Sequence, residues 1–420
     1  MPSEKRRYVA FTREMKKDYT ILAPNMLTLH FRLLMQVLRN HGYHMELLET
    51  DDPSIIETGL KYVHNDTCYP AILVIGQFIS AIQSGKYDPH RVALIYFQTG
   101  GGCRASNYIS LLRKALEKAG YGYVPVISMN LTGLERHPGF RLSVRTMIEL
   151  IHAVLFGDLL MSLRNQCKPY EITPGASDAL ADRITRELAD KMKHDPAYFA
   201  QTRAIYRHIL DQFAAVPRSG ERKVRVGIVG EIYVKFSPLG NNHLEQLLVD
   251  EGAEVVTPGL FDFLTFTLFT KLTDTKLYGM GRLRYPLLRA ACRVMLSKQK
   301  ELIDVMKKDG RFRAPTPFER IAALGREVVD EGVKMGEGWL LPAEMLELND
   351  SGVHNVVCAQ PFGCLPNHIV GKGMMKPIKE KHPEINLVAI DYDSGATRVN
   401  QENRIRLMLS NASPGGAVTD

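Results

Sequence analysis

The sequence predicts an α/β protein of two lobes, joined by a helical connector and carrying a helical insertion. Three observations predict it. Short apolar runs alternate with helix-like segments in the first and last thirds of the chain. A long middle stretch shows helical spacing and no strand-like run. Three cysteines each fall where a strand gives way to a helix. Strands that alternate with helices pair in parallel, so the sheets are expected to be parallel-rich.

The first lobe is expected over residues 1–140. Tyr19–Pro24 and His44–Leu48 read as strands, and Leu27–His41 between them reads as a helix stopped by Gly42. Ala71–Ile82 lies between Pro70 and Gly85, which favours a helix, because proline suits a first turn and glycine a stop. Its β-branched residues leave a strand open as the alternative. Arg91–Phe97 is short, apolar and bounded by turn residues, the pattern of a buried strand. A glycine-rich loop follows, then a helix near Asn107–Ala119 and a strand at Tyr123–Ser128.

The connector is expected over 141–222, ending in the polar stretch Pro217–Lys223. The second lobe, 223–420, opens with a strand at Val224–Glu231, then a polar loop, a helix at His243–Glu251 and a strand at Ala253–Thr257. Residues from about 260 to 346 read as a helical insertion. Alternation resumes with Val353–Cys358, a helix interrupted by Gly371 and Gly373, the strand Asn386–Asp391 and a last helix near Thr397–Leu409.

Composition narrows the function classes. The chain has 420 residues, 45% hydrophobic and 24% charged, with a net charge of +7, which is ordinary for a globular protein. Basic residues are mixed with acidic ones and form no stripe interleaved with aromatics, so nucleic acid is not an expected partner. The charged amino terminus lacks the apolar stretch of a signal peptide, and no uninterrupted apolar run has the length of a membrane helix. A cytoplasmic protein is therefore expected. Six cysteines in so long a chain do not make a disulfide scaffold; in a reducing compartment, cysteines in special loops point to metal or catalysis. Neither a Gly-x-Gly-x-x-Gly fingerprint nor a phosphate-binding Gly-Lys-Ser/Thr loop is present, which argues against nucleotide binding.

The loops holding cysteine carry the chemistry. They are His64-Asn-Asp-Thr-Cys68-Tyr-Pro70, Gln98-Thr-Gly-Gly-Gly-Cys103-Arg104 and Gln360-Pro-Phe-Gly-Cys364-Leu-Pro366. In an open α/β sheet such loops line the carboxyl edge, where ligands bind. A helix amino terminus favours a thiolate. Gly100, Gly101 and Gly102 would let the backbone approach a bulky inorganic group and donate N–H bonds to it. Convergence of Cys68, Cys103 and Cys364 suggests a 4Fe–4S cluster held by three sulfurs, with one iron left open; paired Cys-x-x-Cys ligands of structural zinc are missing. Cys358 is either a fourth ligand or a buried strand residue. Cys167 and Cys292, inside helices, read as structural. In the loop 230–242, Glu231, Tyr233, Lys235, Asn241 and Asn242 either touch substrate or cluster, or serve as a polar loop and helix cap. His64, Asn65, Asp66 and His368 either hydrogen-bond sulfur or relay protons, or are solvated or capping groups. Asp391 and Asp393 are an acid–base pair or a cap.

With these residues assembled, the chain resembles the 2-hydroxyacyl-CoA dehydratase superfamily. It is most like the branch found as the carboxy-terminal part of large activase-related proteins. The resemblance rests on Asn65–Pro70, Gly230-Glu-Ile-Tyr-Val234, Gln360-Pro-Phe-Gly-Cys-Leu-Pro-Asn-His368 and Ala389–Asp393, and covers about residues 18–410. It implies two Rossmann-like lobes and a 4Fe–4S cluster whose cysteines match Cys68, Cys103 and Cys364. It also implies an ATP-dependent activase with its own iron–sulfur cluster, an acyl-CoA substrate, a homo- or hetero-oligomer and a place in anaerobic metabolism. The activity implied is that of a lyase or a reductase component. A non-catalytic electron carrier or cluster-bearing regulator, and a double-cubane reductase of small molecules, are the alternatives.

Overall fold

The structure, a computed structural model, describes residues 8–97, 102–129, 135 and 137–412. The protein is α/β, with two four-stranded sheets, all parallel. It divides into two compact units, Met1–Leu150 and Ile151–Asp420. The helical stretch 151–222 therefore belongs with the second sheet's unit.

The first unit holds β1 (Thr20–Pro24), β2 (His44–Leu48), β3 (Val92–Phe97) and β4 (Val126–Met129), in the order β2-β1-β3-β4. The register pairs Ile21 with Met45 on one side and with Ala93 on the other. All three are buried with Phe11, Tyr43 and Ile127. The segment 70–82 is helical, within Tyr69–Gln83. Twelve of its residues are buried, from Tyr69 to Ile82, all but Gln77 without a charged or amide group in the side chain, so the helix lies inside the unit. Its close neighbour is Ser54–Tyr62, a helix for which the sequence analysis gave no assignment. The two meet backbone to backbone. A Cβ on Gly76 would strike the Ile55 carbonyl, and one on Gly59 the Ile72 carbonyl.

The second unit holds β5 (Arg225–Gly230), β6 (Glu254–Val256), β7 (Asn355–Pro361) and β8 (Asn386–Tyr392), in the order β6-β5-β7-β8. The strand order repeats that of the first sheet. In each sheet the strand order reverses between the first and third strands, the switch point at whose carboxyl edge ligands bind in such folds. Every residue of β7 is buried. The helix Leu340–Asp350 spans the expected end of the insertion, and Leu341, Met345, Leu346 and Leu348 pack into the core beneath β7. The insertion proper forms a satellite core around Trp339, Phe266 and Phe318.

Among the described residues one helical stretch, Val144–Tyr170, matches a membrane span in length and mean hydropathy, although Arg145, Glu149, Asp158 and Arg164 interrupt its apolar run. Its apolar side chains from Ala153 to Leu163 are core: Phe156 packs on Tyr206 at 5.4 Å between ring centres. Asp158, on the same helix, caps Leu260–Tyr278 by accepting the N–H of Leu260 at 2.8 Å and of Phe261 at 2.9 Å.

The Gly76 contact sets the first prediction. Gly76→Ala forces the helices Ser54–Tyr62 and Tyr69–Gln83 apart, and overpacking of this kind costs about 1–3 kcal/mol. The first unit should melt lower, and amide exchange over 69–83 should quicken. An unchanged melt together with unchanged exchange would show that the contact yields.

Candidate functional site

In the first unit the loops of two sequence-chosen cysteines touch. Cys68 takes an extended conformation and caps the helix Tyr69–Gln83, with Pro70 in the first turn. Its carbonyl accepts the Ala71 N–H at 2.8 Å. The side chain is buried against Ala71 and Tyr108, beside Tyr96 and Ala105. Cys103 is half-buried and caps the single turn Arg104–Asn107 that leads into the helix Tyr108–Lys118. Ser106 holds that cap, its Oγ donating to the Cys103 carbonyl at 2.7 Å. Arg104 Nη1 reaches across to the Asp66 carbonyl at 2.8 Å, tying the Cys103 loop to the Cys68 loop. Both loops therefore sit at the carboxyl end of β3. Gly102 is exposed in a bend; Gly100 and Gly101 lie outside the described residues.

In the second unit Cys364 follows β7, as Cys103 follows β3. A tight turn with Gly363 at φ +67° ends the strand, and the Cys364 N–H bonds to the Pro361 carbonyl at 3.1 Å. The next helical turn starts on Cys364: the His368 N–H bonds to its carbonyl at 2.9 Å. Cys364 is therefore a third cysteine at the head of a helix. Asn367, fully buried, points its Nδ2 at the Cys364 sulfur at 3.4 Å.

Asn367 is held by a residue the sequence analysis missed. Glu337 accepts Asn367 Nδ2 on one oxygen at 2.8 Å and the Ile232 N–H on the other at 2.9 Å. It sits between Gly336 and Gly338, both with positive φ. A Cβ on Gly338 would meet the Val333 carbonyl, so only glycine makes this turn. The signal was present in Met335-Gly-Glu-Gly-Trp339, a carboxylate between two glycines, but it lay within a stretch read as helical. The turn precedes the helix that runs into β7, the place Cys68 takes before the helix that leads towards β3.

The loop after β5 is a bracing element. Gly230 has φ +143°, and a side chain there would strike the Ala359 carbonyl. Glu231 then caps the short helix Ile232–Phe236, one oxygen accepting the N–H of Tyr233 at 3.1 Å and of Val234 at 2.9 Å. Asn241, offered by the sequence to a ligand, donates to the Val234 carbonyl at 2.8 Å and accepts the Leu244 N–H at 3.1 Å. Its amide is spent inside the loop. Lys235 is buried and paired with Glu344 at 3.0 Å. Burial raises the Glu231 carboxyl above the ordinary range, and the nearby Glu337 charge raises it further. Burial also raises Glu337 and Glu344, with Lys235 opposing it at Glu344. Two buried acids, Glu337 and Glu344, thus share one buried cation, with the half-buried Glu231 beside Glu337.

Around this core, Gln360 donates to Asp391 at 2.7 Å, and Lys372 and His368 approach the same carboxylate at 3.5 and 3.8 Å. Asp393 accepts the Ser394 N–H at 2.7 Å, inside the turn that precedes the helix Arg398–Ser410. Phe362, Leu365 and Ile369 are 65%, 62% and 55% exposed, so Cys364 is flanked by apolar surface.

The remaining cysteines have packing roles. Cys358 lies inside β7 in the core with Leu341 and Val370, and burial pushes its thiol well up. Cys167 is pushed up to about 11 by burial, and Cys292 is raised for the same reason. No disulfide joins any of the six.

The donor chemistry of Cys68, Cys103 and Cys364 suits iron and sulfide: thiols at helix heads, with an amide aimed at one sulfur. Cys68 and Cys103 belong to the first unit and Cys364 to the second. Among the described residues, no three of His, Cys, Asp and Glu gather closely enough to hold a metal ion. No protein-family model matches the chain, and no curated protein matches it.

The raised carboxyl of Glu231 sets the second prediction. An acid whose folded value is raised contributes stability that is full below the ordinary carboxylate range and lost as pH rises through the folded value. Glu231→Gln keeps the accepting oxygen and removes the titration. Relative to the parent, the variant should gain melting temperature between about pH 5 and about pH 9. Parallel melting curves across that range would show that Glu231 stays charged.

Proposed function

We propose that the chain is an iron–sulfur protein of the 2-hydroxyacyl-CoA dehydratase type, with Cys68, Cys103 and Cys364 as ligands of one 4Fe–4S cluster. Its partner would be an ATP-dependent activase that delivers a low-potential electron. Its substrate would be an acyl-CoA or a related thioester. The observation that carries this reading is the matched setting of the three thiols. Each heads a helix on the carboxyl side of its sheet, and Cys103 and Cys364 follow corresponding strands of two sheets with the same order.

When bound, such a cluster supplies one-electron chemistry and, at an iron without a protein sulfur, Lewis acidity. The chain's own residues would do the rest. Asn367 would donate to the Cys364 sulfur, and Glu337 holds the amide in that orientation. Hydrogen bonds to sulfur are one of the levers that set a cluster's potential. Arg104 keeps the two loops of the first unit in register. The exposed Phe362, Leu365 and Ile369 offer an apolar rim, suited to excluding water or receiving the activase. The core settings of Cys167, Cys292 and Cys358 favour three ligands over the six of a double cubane.

Anaerobic purification and iron and sulfide analysis test the proposal. About four irons with matching sulfide per chain are expected. Cys364→Ala should lose or convert the cluster, while Cys167→Ala keeps it. Stoichiometric zinc without sulfide, or an unchanged iron content in Cys364→Ala, would refute it. A paramagnetic resonance spectrum that shifts on adding an acyl-CoA marks a catalytic protein; one that stays fixed marks an electron carrier.

A further inference from the structure

The second unit has a cavity of about 910 Å³ at the edge of its sheet away from Cys364. Arg225, Glu254 and Asn355, the first residues of β5, β6 and β7, line it. Cys364 and Glu231 follow the opposite ends of the same strands. A strand of six residues separates the two edges by roughly 20 Å.

The lining is strongly cationic. Arg218, Arg222, Lys223, Arg225, Arg311 and Arg313 contribute, against Glu221 and Glu254. Some of these charges are already satisfied. Arg313 pairs with Glu254, and Arg311 with Asp309 and with Asp211 at 2.6 Å. Lys223 approaches Glu221 at 3.5 Å, and Arg218 lies over the Phe312 ring at 5.0 Å. Among the described residues neither Arg222 nor Arg225 makes an ion pair. Gathering guanidinium groups in one concavity is unfavourable without a counter-charge.

The rim is built rather than loose. The Ser219 N–H bonds to the Tyr170 carbonyl at 2.7 Å, and the Ile172 N–H to the Pro217 carbonyl at 3.1 Å. Glu171 and Arg218 form an antiparallel bridge. Tyr170 is fixed in turn through its hydroxyl, which donates to Glu254 at 2.7 Å. The segment with most of the cations is thus pinned across the amino ends of the strands.

Arginine forks match phosphate oxygens two at a time, and a cavity of this size accepts a small organic molecule. We infer that this cavity binds a soluble anion carrying at least two adjacent phosphates, with Arg222 and Arg225 as its principal contacts. The site is independent of the iron–sulfur reading, since it uses none of the same residues.

Calorimetric titration of the full chain with inorganic pyrophosphate tests it, with orthophosphate as the comparison. Saturable one-to-one binding is expected, at least about tenfold tighter than orthophosphate. Arg222→Ala and Arg225→Ala should each weaken it about tenfold, the loss of one charge-assisted contact. Lys376→Ala, on an exposed helix elsewhere, should leave it unchanged. Arg222 lies on an exposed segment, so Arg222→Gln serves if Arg225→Ala fails to fold. Pyrophosphate should also slow amide exchange over 216–225 and 310–313. No saturable binding, equal affinity for orthophosphate, or indifference to the changes at Arg222 would overturn the assignment. Iron content should be the same in every variant, so failure here is distinguishable from failure of the cluster proposal.

Discussion

The second unit depends on a single buried carboxylate. Glu337 joins three elements: the helix head after β5, the turn before the helix that leads into β7, and the helical turn that starts on Cys364. An unpaired carboxylate at that depth would cost several kcal/mol, so its two acceptor contacts are a requirement of the fold. Satisfying them fixes Asn367, and through Asn367 the approach to the Cys364 sulfur. The acid is structural in its effect and chemical in its consequence.

The first unit reaches a similar end by different means. The Cys68 helix is seated by shape against Ser54–Tyr62, and a surface arginine on a carbonyl ties its loop to the next. One thiol-bearing loop is thus placed by packing, the other by a hydrogen-bonded network. Packing is tolerant of solvent but intolerant of volume; a buried network is the reverse.

How much of this was legible in the sequence follows from the same physics. The strands were readable because short apolar runs bounded by turn residues have few other uses: Arg91–Phe97 and Asn386–Asp391 lie within a residue of the observed β3 and β8. The cysteine loops were readable from proline and glycine placement. Cys358 was ambiguous for a physical reason. A central parallel strand is buried on both faces, so alternation says nothing about which way a side chain points, and β7 is buried throughout. Asn241 and Glu231 looked like ligand groups because short polar loops carry both caps and ligands, and only the hydrogen bonds tell them apart. Glu337 was hidden because its partners, Ile232 and Asn367, lie 105 and 30 residues away.

The glycine contact in the first unit has a mechanical meaning. Where main chain rests on main chain, no rotamers stand between the two helices to absorb motion. The sulfur at the head of Tyr69–Gln83 therefore takes its rigidity from the peptide framework, and not from the loop in which it is drawn.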